Sequence, residues 1–440
     1  MENIRVRFAP SPTGKVHIGN IRAAIYNWLY ARHVGGKFLL RVEDTDLERS
    51  TPEAIQVLFE CMKWLGLDYD EEVFYQTKNV KHHLEVVDQL IASGHAYKCE
   101  KTSRDGKTGT VVMFRMPKEG VIEYDDIVKG HMAKKAEDVQ DFAIVRSDGS
   151  PIFHIANVVD DIDQGVTHII RGDDHVENTF KHICIFKALG APVPKYGHLS
   201  MIVNQQGKPY SKRDGAAFVG EYREQGYLPE ALFNYLLLLG WHPEGDREVL
   251  TREEMIKEFE LEKVHVTAAM FDPKKLAWMN GEYVKQIPQE HFKSLLKEKV
   301  AELQGCRVTE RAEEWWDYLA PQVQVRTKFL TDIGKGLEFL FSDEFPVDEK
   351  AVEKRLKKEG AKKALEDVIA LFEKVDDWKA PTLEECVKTL SQGNGMGPWV
   401  HPIRVAVSGR GEGIGLFEML QLLGKEVALK RLNNGLAVCA

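Results

Sequence analysis

The sequence predicts an α/β protein with a doubly wound parallel sheet, an insertion within it and an all-helical C-terminal third. Three observations carry this. Short apolar strands alternate with helix-period segments over residues 4–65 and again over 152–203; the pattern between 78 and 150 changes to one helix followed by turn-rich, strand-like sequence; beyond residue 226 nearly every segment repeats at helical period. A strand at 4–8 leads through a Pro/Gly loop to a helix at 19–33 and a strand at 38–42, a βαβ unit. Gly35 and Gly36 mark the end of that helix, and Ser50 or Thr51 caps a second one over 51–65. A helix at 82–93 and a strand-like stretch at 111–116 belong to the insertion. Strands at 152–159, 167–171 and 197–203, with a helix at 175–189, complete the sheet. Helices follow at 229–239, 291–303, 352–372 and 416–432, separated by Gly, Pro and Ser breaks.

A chain of 440 residues exceeds what one hydrophobic core organises, so roughly two to four domains are expected. With 43% hydrophobic and 29% charged residues the composition is globular, which excludes disordered, collagen-like and disulfide-scaffold chains. The 59 basic and 68 acidic residues leave a net charge of -9, so any grip on a polyanion must come from a local basic surface. Six cysteines, at 61, 99, 184, 306, 386 and 439, contain no Cys-x-x-Cys pair and are expected to be reduced and mostly buried. The start lacks an apolar leader, and the most apolar stretch, 232–241, is too short to span a bilayer. A cytoplasmic location is expected.

Two loops carry chemistry. The first, residues 8–20 (FAPSPTGKVHIGN), leaves the first strand and enters the first helix, where a doubly wound, Rossmann-like sheet binds anions. There His17 can donate to phosphate oxygens, and Gly19 lets a flat base approach the backbone. The second, residues 204–215 (NQQGKPYSKRDG), places Lys208, Lys212 and Arg213 between two glycines after the last strand, suited to stabilising departing pyrophosphate. Taken singly, the first also fits a turn histidine with a structural glycine, and the second a solvated basic hairpin.

Together the loops resemble the His-Ile-Gly-His and Lys-Met-Ser-Lys-Ser signatures of class I aminoacyl-tRNA synthetases. Further strings are similar to those of the bacterial-type glutamyl-tRNA synthetase family: residues 7–14 (RFAPSPTG), 41–46 (RVEDTD), 157–161 (NVVDD), 171–175 (RGDDH), 227–231 (YLPEA), 278–281 (WMNG) and 415–417 (GLF). The resemblance covers nearly the whole chain. It implies ATP-dependent ligation of L-glutamate to the 3′ end of tRNA(Glu) through a glutamyl-adenylate, with release of AMP and pyrophosphate. It also implies five parts: 1–77 and 153–205 as halves of the catalytic domain, 78–152 as an inserted acceptor-stem domain, 206–314 as signature loop and stem contact, and 315–440 as an all-helical anticodon-binding region.

By the same resemblance the glutamate pocket comprises Arg7, Ala9, Ser11, Glu43, Phe153, Asn157 and Arg171. Guanidinium forks suit the carboxylates of such a substrate, and the Glu43 anion suits its ammonium. Neutral glutamine would leave a buried arginine unpaired, which selects glutamate without an editing domain. For ATP the resemblance assigns phosphate contacts to His17, the adenine pocket to Gly19 and Ile202, a ribose or base contact to Asp174, and leaving-group stabilisation to Ser211, Lys212 and Arg213, with Mg²⁺ arriving on the nucleotide. Asn20, Pro209, Tyr210 and Phe153 depart from the family pattern; Phe153 stands where a tyrosine is typical, so one hydroxyl contact is lost.

No structural zinc is expected, because Cys99 stands alone among His82, His83, His95 and His131. The basic run 353–363, Lys134 and Lys135 are candidate RNA contacts, Lys374 is the nearest candidate anticodon reader, and charging of tRNA(Gln) stays open. A monomer is expected. A relative that glutamylates a tRNA base would lack the helical region from Trp315 onward, and a non-catalytic tRNA-binding paralogue would not retain His17, Gly19, Ser211 and Lys212.

Overall fold

The computed structural model describes residues 3–12, 14–46, 50–102, 108–303, 311–392 and 395–439; Thr13 of the first loop and Cys306 lie outside them. The chain forms two compact units, Met1–Met279 and Asn280–Ala440. The stretch 206–314, expected as one part, is divided by that boundary.

The first unit opens with β1 (Arg5–Phe8), α1 (Ile18–Val34), β2 (Lys37–Val42), α2 (Pro52–Trp64) and β3 (Phe74–Tyr75). β1 and β3 flank β2 in a parallel sheet, with Arg7 opposite Leu39 and Arg41 opposite Phe74. α1 ends where Gly35 turns left-handed at φ 66, so its N–H caps the Ala31 carbonyl. Then come α3 (Val80–Ala92), β4 (Ala96–Thr102), β5 (Thr108–Phe114), β6 (Val121–Asp126), β7 (Gly130–Lys135) and β8 (Phe142–Val145). β4, β5 and β8 form an antiparallel sheet of their own.

The second half of the doubly wound sheet is α4 (Phe153–Asp163), β9 (His168–Gly172), α5 (Val176–Ala188) and β10 (Lys195–Leu199). Residues 152–159 were expected as a strand and are instead the start of a helix. A short apolar run fits either element, and here Ile155, Val158, Val159 and Ile162 repeat at helical spacing and pack into the core. β9 and β10 pair in parallel, and β10 continues to the inserted β6 through Tyr196 opposite Asp126. On its other side β9 neighbours β1: Thr167 N–H donates to the Arg5 carbonyl at 2.9 Å. The spatial order β3-β2-β1-β9-β10 therefore reverses between β1 and β9, the switch point at which doubly wound sheets bind ligands. One hydrophobic core runs from Val86, Phe114 and Ile144 of the insertion to Ile155, Ile169 and Phe186, so the insertion is packed into this unit.

The unit closes with β11 (Ile202–Val203), α6 (Val219–Glu224), α7 (Pro229–Leu238), α8 (Arg252–Glu258), β12 (Ala269–Met270) and the first turns of α9 (Pro273–Lys285). The strand expected at 197–203 is thus two strands, and β12, pairing in parallel with β11, is a strand beyond residue 226. The second unit holds α10 (Gln289–Ala301), α11 (Glu313–Gln324), α12 (Glu349–Arg355), α13 (Ala361–Phe372), α14 (Ala380–Ser391), α15 (Gly397–Ser408), α16 (Leu416–Leu423) and α17 (Lys425–Leu436). Two helices expected as continuous are broken: α12 ends at Arg355 and α13 restarts after Gly360 (φ 83), and Gly424 (φ 80) separates α16 from α17, both glycines at a backbone angle a helix interior does not adopt. Cys61 and Cys184 are buried, whereas Cys99, Cys386 and Cys439 are half-buried, so fewer cysteines are buried than the sequence suggested. Among the described residues no helix is long and apolar enough to cross a membrane.

Candidate active site

A cavity of about 660 Å³ opens at the switch point, beyond the C-terminal ends of β1, β2, β9 and β10. Its walls include Arg7, Ala9, Ser11, Glu43, Phe153, Asn157 and Arg171 from the expected glutamate set, and His17, Gly19, Asp174 and Ile202 from the expected nucleotide set. Their elements explain the convergence. Arg7 lies at the end of β1, Glu43 just past β2 with its N–H bonded to the Pro10 carbonyl (3.0 Å), Phe153 and Asn157 on the first turns of α4, and Arg171 near the end of β9.

The charged floor is a network rather than a row of independent groups. Asp161 on α4 accepts from Arg7 Nε at 3.0 Å and from Arg41 Nη1 at 2.6 Å on one oxygen, Oδ1. Glu43 accepts from Asn157 Nδ2 at 2.8 Å and from Arg41 Nη2 at 3.4 Å. All are buried, so the charges are paired as low-dielectric surroundings require. Against burial, Arg41 and Arg7 hold the Asp161 carboxyl below its usual range, whereas for Glu43 burial wins and pushes the carboxyl up. Sequence reasoning missed Asp161 and Arg41 as the members that tie the pocket together. The Arg41 and Asp161 positions stood in the quoted strings, but nothing local signals a pairing across 120 residues.

Arg171 is the exception to pairing. Its Nε donates to His198 Nε2 (3.3 Å) and its Nη2 to Thr179 Oγ1 (2.7 Å), while the buried Nη1 has no partner. Burial lowers its pKa to about 10. A buried guanidinium N–H with no protein partner on a cavity wall can donate to an anion. Asn157 Oδ1 is likewise buried and unpartnered.

On the nucleotide side His17 caps α1, with Nδ1 accepting from Gly19 N–H at 3.1 Å. That bond leaves the proton of the neutral ring on Nε2, which is engaged by the Tyr210 backbone, and burial pushes the imidazole pKa down against that bond, favouring the neutral form. A Cβ at position 19 would come within 3.3 Å of that Nδ1, so glycine keeps this corner open. From the second loop only Pro209 and Tyr210 reach the cavity. The Tyr210 ring packs tilted against Phe271, with centroids 4.4 Å apart. Ser211 donates through both N–H and Oγ to Asp214 Oδ2 (2.9 Å each), and Lys212 lines a separate shallow hollow beside Glu221 and Glu224. Ser211, Lys212 and Arg213 are therefore not gathered with the other expected residues in this structure.

The expected RNA-contact lysines are partly engaged. Lys134 pairs with Glu177 (2.6 Å), Lys135 with Glu137 (3.3 Å), Lys363 with Asp367 (2.7 Å) and Lys357 with Glu353. Of the histidines weighed for zinc, His83 is buried on Asp160 at 2.6 Å, while exposed His131 faces Asp125 at 3.0 Å.

A doubly wound sheet with a helix-capping His-x-Gly in its switch-point cavity is the setting of the class I aminoacyl-tRNA synthetases, and the chain belongs to that class. The family described as "tRNA synthetases class I (E and Q), catalytic domain" matches residues 3–108 and 102–278, and "Anticodon binding domain" matches 280–436. More narrowly, the chain belongs to the glutamate–tRNA ligase family. It is 39% identical to the glutamate–tRNA ligase of Symbiobacterium thermophilum over 98% of this chain and 99% of that one, and 41% identical to that of Francisella philomiragia over 98% of each. Among solved structures, a glutamate tRNA ligase from Elizabethkingia meningosepticum in complex with its amino acid matches with a TM-score of 0.87 at 28% identity, covering 99% of both chains.

Proposed function

We propose that this chain activates L-glutamate with ATP in the switch-point cavity and transfers the glutamyl group to the 3′ end of tRNA(Glu). The observation that carries the reading is the buried, unpartnered Nη1 of Arg171 beside Arg7 and Glu43. Two cations and one anion complement a substrate with two carboxylates and one ammonium. Arg171 or Arg7 reads the side-chain carboxylate, and Glu43 takes the ammonium. An α-carboxylate oxygen attacks the α-phosphorus in line, the bond to the bridging oxygen breaks and pyrophosphate leaves. A hydroxyl of the terminal ribose then attacks the glutamyl carbonyl, the bond to AMP breaks, and the hydroxyl proton is released. His17 contacts phosphate, Gly19 and Ile202 flank the adenine, and Asp174 contacts the ribose or base. Ser211, Lys212 and Arg213 stabilise the leaving group once the second loop moves over the cavity.

Among the described residues no group of three or more His, Cys, Asp or Glu could hold a metal ion. We assign Mg²⁺ to the nucleotide phosphates, where it needs few protein ligands. The protein acts as a cytoplasmic monomer, and its helical unit reads the anticodon.

The test is aminoacylation with radiolabelled glutamate and ATP on purified tRNA(Glu) and tRNA(Gln) transcripts. Charging of tRNA(Glu) is expected, and charging of neither would overturn the reading. Charging of both would make the enzyme non-discriminating.

A further inference from the structure

Arg171 does not hold its own orientation. Its Nε points at His198 Nε2 on β10, a side chain that is fully buried and absent from the cavity wall. The opposite ring nitrogen, Nδ1, lies 2.5 Å from Oδ2 of Asp126, the last residue of β6 in the insertion. The other oxygen of Asp126, Oδ1, is committed to three backbone donors: Val128 N–H (3.0 Å), Lys129 N–H (2.9 Å) and His198 N–H (3.2 Å). Arg171 Nε–H can only donate, and Thr179 Oγ1, 3.0 Å from the same ring nitrogen, accepts from Arg171 Nη2 and can give its own proton to Nε2; Nε2 then accepts from both, and the imidazole proton sits on Nδ1 facing Asp126. Burial and the neighbouring Arg171 push the His198 ring down, against the pull of Asp126, which keeps it neutral.

We propose that Asp126 and His198 are positioning residues for Arg171: Asp126 sets the tautomer of His198, and His198 sets the rotation of the guanidinium that leaves Nη1 free for the substrate carboxylate. The inference rests on the reading of Arg171 as a glutamate contact. It makes a residue of the inserted region, outside the cavity, a determinant of amino-acid affinity.

The test is Asp126→Asn. The three backbone donors hold the amide oxygen in the place of Oδ1, which turns the NH₂ toward His198 Nδ1. The ring proton then moves to Nε2, where Thr179 Oγ1 (3.0 Å) can accept it, and the Arg171 Nε–H loses its acceptor. In steady-state aminoacylation the KM for glutamate should rise on the order of 10-fold to 100-fold, as for a buried donor left unmatched. The KM for ATP should stay within about twofold, since no nucleotide contact is touched. Imidazole ¹⁵N NMR, with the His198 signal assigned by its loss in His198→Gln, should show Nδ1–H in the parent and Nε2–H in Asp126→Asn. A parent His198 that is Nε2–H or doubly protonated at neutral pH overturns the proposal without any variant. Arg171→Ala separates the two levels. If it leaves the KM for glutamate unchanged, the pocket reading fails; if it raises the KM while Asp126→Asn does not, the positioning inference alone fails.

Discussion

Replacing Glu43 by glutamine should weaken glutamate binding while leaving the fold intact. Burial pushes the Glu43 carboxyl up, although Arg41 and Arg7 pull it down. A carboxyl whose folded pKa exceeds its unfolded one adds stability at low pH and loses that contribution as pH rises through the folded value. At pH 7 the ionised side chain is therefore a cost to folding. The glutamine amide oxygen in the place of Oε1 keeps both donors, Asn157 Nδ2 (2.8 Å) and Arg41 Nη2 (3.4 Å), and loses only the charge assistance of the second, while Arg41 retains Asp161 at 2.6 Å. Stability should stay within about 1 kcal/mol, a Tm shift of ~2–4 °C for a body of this size. Binding, in contrast, loses a charge-assisted bond to the substrate ammonium, worth about 1.5–3 kcal/mol, or roughly 10-fold to 150-fold in KM. The assay is aminoacylation at varied glutamate with ATP and tRNA(Glu) saturating, alongside thermal unfolding. A variant melting more than about 10 °C low with an unchanged KM would show that Glu43 is only a counter-ion for Arg41, and the ammonium role would be refuted.

Lys212→Ala should slow adenylate formation roughly 100-fold or more while changing tRNA affinity little, measured by single-turnover kinetics and filter binding; equal losses in both would remove its leaving-group role. Phe153→Tyr restores a hydroxyl at the cavity wall and should lower the KM for glutamate about fivefold, near 1 kcal/mol; a rise would mean that the ring fits only without it. Glu71 is held at about 2 by hydrogen bonds from Arg5 (2.7 Å) and Lys37 (2.8 Å) at the outer end of β1 and β2. This depressed carboxyl stabilises above its unfolded pKa and loses that contribution as pH falls toward 2, so Glu71→Gln should cost about 0.5–1 kcal/mol at pH 7, given its exposure, and nothing near pH 2. Denaturant titrations at both pH values would check this, and a penalty independent of pH would rule the charge out as its source.

What the sequence made legible is what is local in the chain. β1, the following loop and α1 follow from apolar runs, a Pro/Gly break and a Gly35 cap, and that alone brings Arg7, Ser11 and His17 to one end of a sheet. The strand expected at 152–159 failed because Phe, Ile and Val are strand formers by type; their helical spacing, and the two acids at 160 and 161 on the buried face, are the better signal. The breaks at Gly360 and Gly424 were visible as glycines but not as ones at positive φ. The pairing of Asp161 with Arg7 and Arg41, and of Asp126 with His198, could not be read because each spans 72 or more residues and obeys no period. The rest position of Lys212 is a property of a loop tied by Asp214, which composition does not encode.

The single carboxylate shared by Arg7 and Arg41 also bears on how the chain is made. Arg41 precedes Asp161 by 120 residues, and a ribosome adding about 5–20 residues per second takes roughly 6–24 s to deliver the partner. During that interval β1 and β2 carry two guanidinium groups that cannot be enclosed without their counter-ion. Arg7 and Arg41 meet their shared counter-ion when α4 emerges, before β9 has delivered Arg171 to the pocket.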